Sequence, residues 1–555
     1  MPTLLEHLAA RLAYWHARGT YGRFQRALRD VERAQRRVLR RVLRVVADGE
    51  YGQRLGLGRV RTPADLRRAA PLATYEHYRP VIDRVAEGDL GALFSPGQRV
   101  LMFATSSGTT AEPKRIPVTP AFVADYRRGW NTFGLKMLTD HPRAILRPIL
   151  QCSGRHDAAR TPAGIPCGAI TGLLAHTQKG IVRRFYVSPP ELTRVEPPVA
   201  RYYGLMRLAI ERDVAFAVTA NPATLIQLAR TANDESETLI RDVRDGTLAS
   251  HMVPDAELRR TLAARLRPNP ERAAELARLR QGTGRLAPRD YWALEFLACW
   301  TGGSLGHYLP LVADWWGPVP VRDIGLLASE GRVSIPLQDG TPIGVLDVTS
   351  SVFEFIPVEE ADAASPTCVG PTELAPGHDY VVVLSNATGL VRYRLDDVVR
   401  VHGILGQAPL IEFLHRAGRV ASVAGEKLTE DQVVAALMEA CRELGVSECE
   451  FVLFPRWADP PFYTLACSAE LEAAHAALVD AILARHNEEY ASRRKSFRLG
   501  QLQVERLPAS AFATLDRRLT AGRRSTPEQY KRPCLLVTPE EADRLLSPRS
   551  DSTGV

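Results

Sequence analysis

The stretch Ser106-Ser107-Gly108-Thr109-Thr110-Ala111-Glu112-Pro113-Lys114 follows directly on an apolar run, Val100 to Ala104. It combines four hydroxyl side chains, a glycine and a terminal lysine. A loop of this composition can wrap phosphates, because Gly108 permits tight backbone turns while hydroxyls and backbone amides donate hydrogen bonds. The GxxxxGKS/T spacing of the usual phosphate loop is absent, so an ordinary P-loop ATPase or kinase loses its main support. The stretch predicts a nucleotide site of another type.

The composition of the chain is typical of a globular protein with a large core. Its 555 residues are 45% hydrophobic and 24% charged, close to globular averages. The length predicts about three to four domain-sized units. No apolar run approaches the roughly 20 residues that cross a bilayer, and the N-terminus lacks a signal-type segment. We therefore expect a cytoplasmic protein with no membrane partner.

The eight cysteines and the net charge of +8 indicate neither a zinc site nor a nucleic-acid partner. The cysteines form no CxxC pair, so buried reduced thiols are expected. The first fifty residues hold eleven arginines against five acidic residues, and from Arg33 to Arg44 the arginines alternate with apolar residues at helical spacing. This pattern predicts an amphipathic helix with a solvated basic face. An RNA- or membrane-binding helix is the alternative, which the lack of interleaved aromatic residues disfavours.

The order of patterns along the chain predicts an α/β fold of two domains. From about residue 120, helical patterns alternate with short apolar runs such as Ala215 to Thr219, which favours the α/β class. A boundary is expected near residue 415. The expected units are a large N-terminal domain of β-sheets with packed helices over 1–415, with a helical lead-in over 1–50; a smaller, mobile α+β C-terminal domain over 416–541; and a disordered tail over 542–555.

Three further motifs are far apart in the chain and make sense only if the fold brings them together. They are Leu326-Leu327-Ala328-Ser329-Glu330, preceded by Trp300-Thr301-Gly302-Gly303-Ser304; Tyr393-Arg394-Leu395-Asp396-Asp397-Val398-Val399; and Gln529-Tyr530-Lys531-Arg532-Pro533. Together with the 106–114 loop, they resemble the acyl acid amido synthetases of the auxin-conjugating family, a branch of the acyl-adenylating, luciferase-like superfamily. The resemblance covers nearly the whole chain. Each motif alone is weak, but four in the family's order are strong evidence.

The resemblance implies an ATP- and Mg²⁺-dependent ligase that joins a small carboxylic acid to an amine, commonly an amino acid. The carboxylate would attack the α-phosphate of ATP, giving an acyl-adenylate and pyrophosphate, and the amine would then attack the activated carbonyl. Three alternatives stay open: acyl transfer to a thiol of coenzyme A or a carrier protein, a regulatory nucleotide-binding protein without catalysis, and a basic nucleic-acid-binding protein. The oligomeric state also stays open.

By the same resemblance, the loop and one carboxylate would manage the phosphates. The side chains of Ser106, Ser107, Thr109 and Thr110 would hold the β- and γ-phosphates, and Gly108 would allow close approach of the backbone. Glu330 would coordinate Mg²⁺, since a hard cation prefers a carboxylate oxygen.

The residues that the resemblance assigns to adenine and ribose are Gly302, Gly303, Leu326, Ser329 and Asp397. The two glycines would let the base lie against backbone, and Leu326 stands where the family commonly has an aromatic residue. Asp397 would accept hydrogen bonds from both ribose hydroxyls. Asp396 stands where the family usually has glycine, so the choice between the two aspartates stays open.

The remaining assignments concern a catalytic lysine and the substrate pocket. Lys531 resembles the lysine of the small domain that neutralises the carboxylate and the α-phosphate as they approach, and Lys427 is the second candidate. By position in the family, Tyr126, Thr171 and Tyr308 would line the acyl and amine pocket. Aromatic and aliphatic residues there would accept an apolar or aryl carboxylic acid.

Overall fold

A computed structural model describes most of the chain. The described residues are 4–106, 114–178, 180–361, 363–417, 420–424, 426–446, 449–469, 471, 475–495, 498–520 and 532–546. Helices and strands are mixed throughout these ranges, so the expected α/β class is confirmed. None of the helices in these ranges combines the length and the apolarity that a membrane span requires.

Helices open the described chain and cover the largest hydrophobic core. They are α1 (Leu4–Arg29), α2 (Val31–Val46), α3 (Glu50–Arg54), α4 (Pro63–Ala69) and α5 (Tyr75–Ala86). Asp30 caps α2, because its carboxylate accepts a hydrogen bond from the backbone N–H of Arg33 at 3.1 Å. Val38, Leu39 and Val42 of α2 are buried, while most of its arginines are exposed. The prediction of an amphipathic helix with a solvated basic face is confirmed.

The first sheet carries the predicted phosphate loop. The elements of this region are β1 (Met102–Ser106), β2 (Lys114–Val118), α6 (Pro120–Asp140), β3 (Ile149–Gln151), β4 (Ala159–Arg160), β5 (Pro166–Gly168) and α7 (Ile170–His176). Strands β2-β1-β5-β4 form one sheet in that order. Strand β5 pairs parallel to β1, so the chain runs in the same direction in both strands.

The second sheet is parallel and surrounded by helices. Its region contains α8 (Gly180–Arg183), α9 (Pro198–Ala209), β6 (Phe216–Val218), α10 (Pro222–Asp234), α11 (Ser236–Asp245), α12 (Ala256–Ala263), α13 (Pro270–Thr283), α14 (Pro288–Tyr291), β7 (Phe296–Ala298), α15 (Leu309–Trp316) and β8 (Val321–Arg322). The strand order is β3-β6-β7-β8, and all pairs are parallel. A 3₁₀ helix, Gly303–Tyr308, connects the end of β7 to α15.

The third sheet is antiparallel and has six strands. This region contains β9 (Leu327–Ala328), β10 (Gly331–Arg332), β11 (Ser334–Pro336), β12 (Gly344–Leu346), β13 (Val352–Pro357), β14 (Asp379–Ser385), β15 (Tyr393–Leu405) and β16 (Ala408–Arg416). Among the described residues, β9 and β10 form a separate two-stranded pair, and the sheet runs β11-β12-β16-β15-β14-β13. The pairing of β15 shifts register beside both neighbours, which bends this strand where the predicted aspartates lie.

The C-terminal region has its own sheet and core. Its elements are β17 (Val420–Ala421), β18 (Leu428–Thr429), α16 (Glu430–Glu443), β19 (Phe451–Arg456), β20 (Phe462–Cys467), α17 (Ala476–His486), α18 (Glu488–Lys495), β21 (Gln503–Arg506), α19 (Ala509–Thr520) and α20 (Pro539–Leu546). Strands β19-β20-β21 form the sheet. The boundary near residue 415 stays a prediction. The prediction of a disordered tail from residue 542 is wrong at its start, because helix α20 continues to Leu546 and buries Ala542 and Leu545 in the C-terminal core.

Candidate active site

Strands β1 and β2 form the hairpin that carries the predicted phosphate loop. They pair antiparallel from Met102 opposite Val118 to Ser106 opposite Lys114. Ser106 therefore ends one strand and Lys114 begins the next, so both residues that flank the loop lie at the same end of the β1–β2 pair. The other predicted phosphate-binding residues, Ser107, Gly108, Thr109 and Thr110, lie outside the described residues.

Lys114 brings a cation to the base of this hairpin. Its Nζ donates a hydrogen bond to the hydroxyl oxygen of Tyr393 at 3.4 Å and lies 5.6 Å from the ring centroid of Tyr75. Burial lowers the pKa of the Lys114 ammonium, and the charge of Glu330 opposes this shift. The hairpin is thus tied to residues of two other motifs.

Glu330 lies in the two-residue turn between β9 and β10, where Ala328 pairs with Gly331. Only 3% of its surface is exposed. The hydroxyl of Tyr393 donates a hydrogen bond to Glu330 Oε1 at 3.3 Å, and Asn386 Nδ2 donates to the Glu330 backbone carbonyl at 2.7 Å. These contacts hold a buried carboxylate beside Lys114. Burial and the charge of Glu330 raise the pKa of Tyr393, so its hydroxyl remains a donor.

The two neighbouring aspartates of β15 have different surroundings. Asp396 has a φ of 64°, a left-handed conformation that favours glycine and that aspartate tolerates. Its side chain accepts a hydrogen bond from Arg394 Nε at 2.7 Å, and its carbonyl accepts one from the backbone N–H of Ala417 at 2.6 Å. Asp397 pairs across the strands with Arg416 and is 9% exposed. Asp396 is thus engaged in the bulge, while Asp397 belongs to the cluster around Arg416.

Arg416 is a functional candidate that the sequence did not single out. It is the last residue of β16; its Nη2 donates to the Leu395 carbonyl at 3.3 Å, and its Nε lies 3.8 Å from Asp397 Oδ1. Burial disfavours the charged guanidinium, but the carboxylates of Asp397 and Glu330 outweigh it, and the pKa of Arg416 is raised. Two sheets therefore place a cation each, Lys114 from β2 and Arg416 from β16, among the acidic residues of two motifs.

The glycine pair at the start of the 3₁₀ helix packs against β16. A Cβ on Gly303, whose φ is 57°, would lie 2.9 Å from the Leu414 carbonyl oxygen, and one on Gly302 would lie 3.1 Å from Pro342 Cβ. Position 303 therefore requires glycine, because of its left-handed φ and its close backbone contact, whereas a Cβ on Gly302 would press only on the side chain of Pro342. Just before them in the chain, the indole Nε1 of Trp300 donates to the Gly325 carbonyl at 2.9 Å, which ties the strip to the segment that leads into β9.

Two buried charged residues support the predicted nucleotide strip and the Glu330 turn. Asp323 accepts hydrogen bonds from the backbone N–H and hydroxyl of Thr301 at 2.6 and 2.8 Å. Arg332, 1% exposed, donates through Nη1 to the carbonyls of Ile324 and Ser334, both at 3.1 Å. Arg332 thereby joins the chain entering the β9–β10 hairpin to the chain leaving it. The predicted residues Leu326 and Ser329 both lie in this segment, and Leu326 N–H donates to Ser334 Oγ at 2.9 Å.

Helices α6 and α7 carry two of the predicted pocket residues. Tyr126 of α6 is buried, and Thr171 of α7 accepts a hydrogen bond from the Gly154 N–H at 3.3 Å. Helix α6 also contacts Arg332, whose guanidinium carbon lies 4.7 Å from the ring centroid of Trp130. A Cβ on Gly129 would lie 2.6 Å from Arg332 Cδ. Helix α6 and the Glu330 hairpin are therefore in direct contact.

The third predicted pocket residue, Tyr308, lies elsewhere. It ends the 3₁₀ helix and faces the C-terminal region, because the 3₁₀ helix contacts α16. Burial raises the pKa of the Tyr308 hydroxyl, and the charge of Arg532 lowers it. Tyr308 is thus close to the residue that follows Lys531 in the chain.

The two predicted catalytic lysines are not joined to the cluster by the described contacts. Lys531 lies outside the described residues. Lys427 is exposed with a left-handed φ of 45°, and its carbonyl accepts a hydrogen bond from Asn487 Nδ2 at 3.3 Å. Its neighbour Glu426 is fully buried and accepts hydrogen bonds from the backbone N–H groups of Val423 and Ala424. Glu426 therefore fixes the backbone of the segment that contains Lys427.

Comparison with known proteins accounts for nearly all of this architecture. Models of the GH3 family match three consecutive parts of the chain: the N-terminal domain over residues 20–321, the central domain over 344–416 and the C-terminal domain over 431–540. The chain belongs to the GH3 family.

Several relatives carry the names of amido synthetases. The chain is 26% identical over 551 residues to jasmonoyl–L-amino acid synthetase GH3.5 of Oryza sativa subsp. japonica, covering 93% of the chain and 94% of that protein. It is 26% identical over 464 residues to a probable indole-3-acetic acid-amido synthetase, GH3.4, of the same organism, covering 78% and 73%. The solved structure of GH3.15 acyl acid amido synthetase shares its fold, with a TM-score of 0.82, 21% identity and 95% of each chain covered. The resemblance to the auxin-conjugating amido synthetases is confirmed.

Proposed function

We propose that the chain is an ATP-dependent acyl acid amido synthetase, a ligase that activates a small carboxylic acid as acyl-AMP and transfers the acyl group to the amine of an amino acid. One observation carries this proposal. Lys114, Tyr393 and Glu330 belong to three separate motifs, and hydrogen bonds join them at the base of the 106–114 loop. The relatives named above as synthetases of jasmonoyl– and indole-3-acetic acid–amino acid conjugates support the choice of acid and amine classes.

In the first half-reaction, an oxygen of the substrate carboxylate attacks the α-phosphorus of ATP. The bond between the α-phosphorus and the bridging oxygen breaks, and pyrophosphate leaves with the electron pair. The hydroxyls and amides of the loop hold the departing phosphates, while Lys114 adds a positive charge at its base. Lys531 neutralises the approaching carboxylate and α-phosphate, and Lys427 is retained as the second candidate.

Asp397 holds the ribose in this proposal. A single carboxylate can accept hydrogen bonds from both hydroxyls of a ribose. Asp396, which lies in the strand bulge and accepts a hydrogen bond from Arg394, is the alternative. Gly302 and Gly303 form the floor for adenine, with Leu326 and Ser329 nearby in the chain segment that leads to Glu330.

Glu330 is the residue that would hold Mg²⁺. Its buried carboxylate accepts one hydrogen bond from Tyr393 on Oε1, which leaves further oxygen lone pairs for a hard cation. The described residues contain no group of three or more potential ligand side chains. A single carboxylate, that of Glu330, fits Mg²⁺, because this ion commonly takes one or two carboxylates and completes its shell with phosphates and water. The ion would neutralise the phosphate charge that develops as pyrophosphate leaves.

In the second half-reaction, the amine nitrogen attacks the carbonyl carbon of the acyl-adenylate. The bond to the AMP oxygen breaks, AMP leaves with the electron pair, and the amine nitrogen releases one proton to water to give a neutral amide. The acid binds along α6 and α7, where Tyr126 and Thr171 would border an apolar or aryl group. The C-terminal region turns about residues near 416 to open the site to the amine.

The test is acid-dependent exchange of pyrophosphate into ATP, followed by product analysis. The chain is screened against apolar and aryl carboxylic acids, and each acid that supports exchange is then incubated with pooled amino acids, with coenzyme A, or with neither. We expect exchange with at least one acid and an amide in the amino-acid arm. A thioester formed only in the coenzyme A arm would replace the amide assignment, and no exchange with any acid would reject the proposal.

A further inference from the structure

Arg532 is held on three sides in the C-terminal region. Its Nε and Nη2 donate to the two carboxylate oxygens of Asp516 at 2.7 and 2.5 Å, and its Nη1 donates to Glu450 Oε1 at 3.0 Å. The guanidinium carbon also lies 5.2 Å from the ring centroid of Phe512. The side chain is only 10% exposed. A two-point contact with one carboxylate fixes both the position and the plane of a guanidinium.

The chain that follows Arg532 is fixed by its backbone. The N–H of Cys534 donates to Glu430 Oε1 at 2.5 Å, and its carbonyl accepts from the N–H of Leu453 at 2.8 Å. The N–H of Leu536 then donates to the Leu453 carbonyl at 2.9 Å. From residue 532 onwards, the chain is therefore attached to α16 and β19.

Arg532 lies near the end of the 3₁₀ helix that begins at Gly303. Burial raises the pKa of Tyr308, the last residue of that helix, and the charge of Arg532 opposes this shift. Helix α16, to which Glu430 belongs, contacts the same 3₁₀ helix. The attached segment thus lies at the boundary between the C-terminal region and the strip proposed to hold adenine.

We propose that Arg532 is a positioning residue that fixes where the chain carrying Lys531 enters the site during adenylation. This inference rests on the proposed function and uses only the position of Lys531 next to Arg532 in the sequence. A lysine side chain is long and flexible, so its reach depends on where its backbone is held. Arg532 also occupies the carboxylates of Asp516 and Glu450, which would otherwise attract the neighbouring ammonium.

The inference is tested by comparing the two half-reactions in Arg532→Met, Arg532→Lys and Asp516→Asn. The matched control is Arg494→Met, because Arg494 also makes a two-point contact with a carboxylate, that of Asp480, in the same region. Acid-dependent pyrophosphate exchange measures adenylation. Amide formation from a chemically prepared acyl-adenylate and an amino acid measures transfer, and thermal unfolding checks that each variant is folded.

We expect Arg532→Met to lower kcat for exchange by about 10- to 100-fold, the scale of a small misplacement of a reacting group. The KM for ATP should change less than about twofold, and transfer should match the unmodified chain. Arg532→Lys and Asp516→Asn should give intermediate losses, and the control should keep full exchange. The positioning role would be overturned if Arg532→Met lost both half-reactions equally, or if Arg494→Met lost as much exchange as Arg532→Met. No exchange in the unmodified chain would instead reject the proposed function, and this role with it.

Discussion

The hydroxyl of Tyr393 donates a hydrogen bond to Glu330 Oε1 at 3.3 Å across 63 residues of sequence. The same hydroxyl oxygen accepts a hydrogen bond from Lys114. Tyr393 therefore joins the phosphate hairpin to the carboxylate proposed to bind Mg²⁺. It is a connection between functional groups as well as a buried ring of the core, where it lies 6.3 Å from the ring of Tyr78.

The first prediction concerns this hydroxyl. Tyr393→Phe keeps the ring but removes a hydrogen bond to a buried carboxylate, so the free energy of unfolding should fall by about 1 to 3 kcal/mol. Urea denaturation measures the change. Tyr291→Phe is the control, because the Tyr291 hydroxyl is buried without a hydrogen-bond partner among the described residues. Equal effects in the two variants would contradict the proposed contact.

The second prediction separates the two aspartates. Asp397→Asn should raise the KM for ATP in pyrophosphate exchange by about 10- to 100-fold, because hydrogen bonds to a charged group contribute about 1.5 to 3 kcal/mol. Asp396→Asn should leave this KM within about twofold, since asparagine also tolerates the left-handed conformation at that position. A larger KM effect in Asp396→Asn would reverse the ribose assignment.

The third prediction tests the contact between the glycine strip and β16. Gly303→Ala places a Cβ 2.9 Å from the Leu414 carbonyl oxygen at a φ of 57°, so the unfolding free energy should fall by at least about 1 kcal/mol. Gly134→Ala is the control, because it lies inside α6 with nothing within 4 Å of a new Cβ; it should stabilise the chain by about 0.5 to 1 kcal/mol. A Gly303→Ala variant as stable as the unmodified chain would show that strand β16 moves to accommodate the new Cβ, which would contradict the prediction.

The fourth prediction concerns pH and Lys114. Its pKa in the folded chain is lowered from the usual 10.5, mainly by burial, so the unfolded chain binds the proton more tightly. The contribution of Lys114 to stability therefore rises with pH between its folded pKa and about 10.5, and is least favourable below that window. Lys114→Met should lose this rise and gain stability at neutral pH relative to the unmodified chain. Urea denaturation from pH 7 to 10.5 compares the slopes, and parallel curves would contradict the shift.

Local patterns were sufficient to predict the α/β class, the basic amphipathic helix α2 and a family whose motifs lie far apart in the chain. These features depend on periodicity and on short motifs, which the sequence displays directly. The same reasoning could not have identified Arg416 or Asn386, because their roles arise from neighbours brought close by strand pairing and by a turn. Nor could it show that Asp396 and Asp397 have different surroundings, since that difference arises from one backbone angle in a bulged strand; the ribose assignment stays a prediction.

The C-terminal end of the described chain shows a different limit of prediction from sequence composition. Polar composition predicted a tail from residue 542, but Thr538 caps a short helix, α20, which buries few apolar side chains and is also held by polar contacts such as the hydrogen bond from Arg518 to the Leu545 carbonyl. Sparse burial of this kind is difficult to distinguish from disorder by composition, because two buried side chains hardly change the average of a segment.

The contact between Gly129 and Arg332 has a consequence for redesign. One turn of α6 presents Tyr126 to the proposed acid pocket, and the next places a residue without a side chain against the arginine that joins the two ends of the Glu330 hairpin. Tyr126 also interacts with Arg332 through its charge, so a substitution at Tyr126 alters the surroundings of the same arginine. A bulkier residue at 129 would displace Arg332 and with it the hairpin, so changes along this face of α6 are expected to alter adenylation together with acid selectivity.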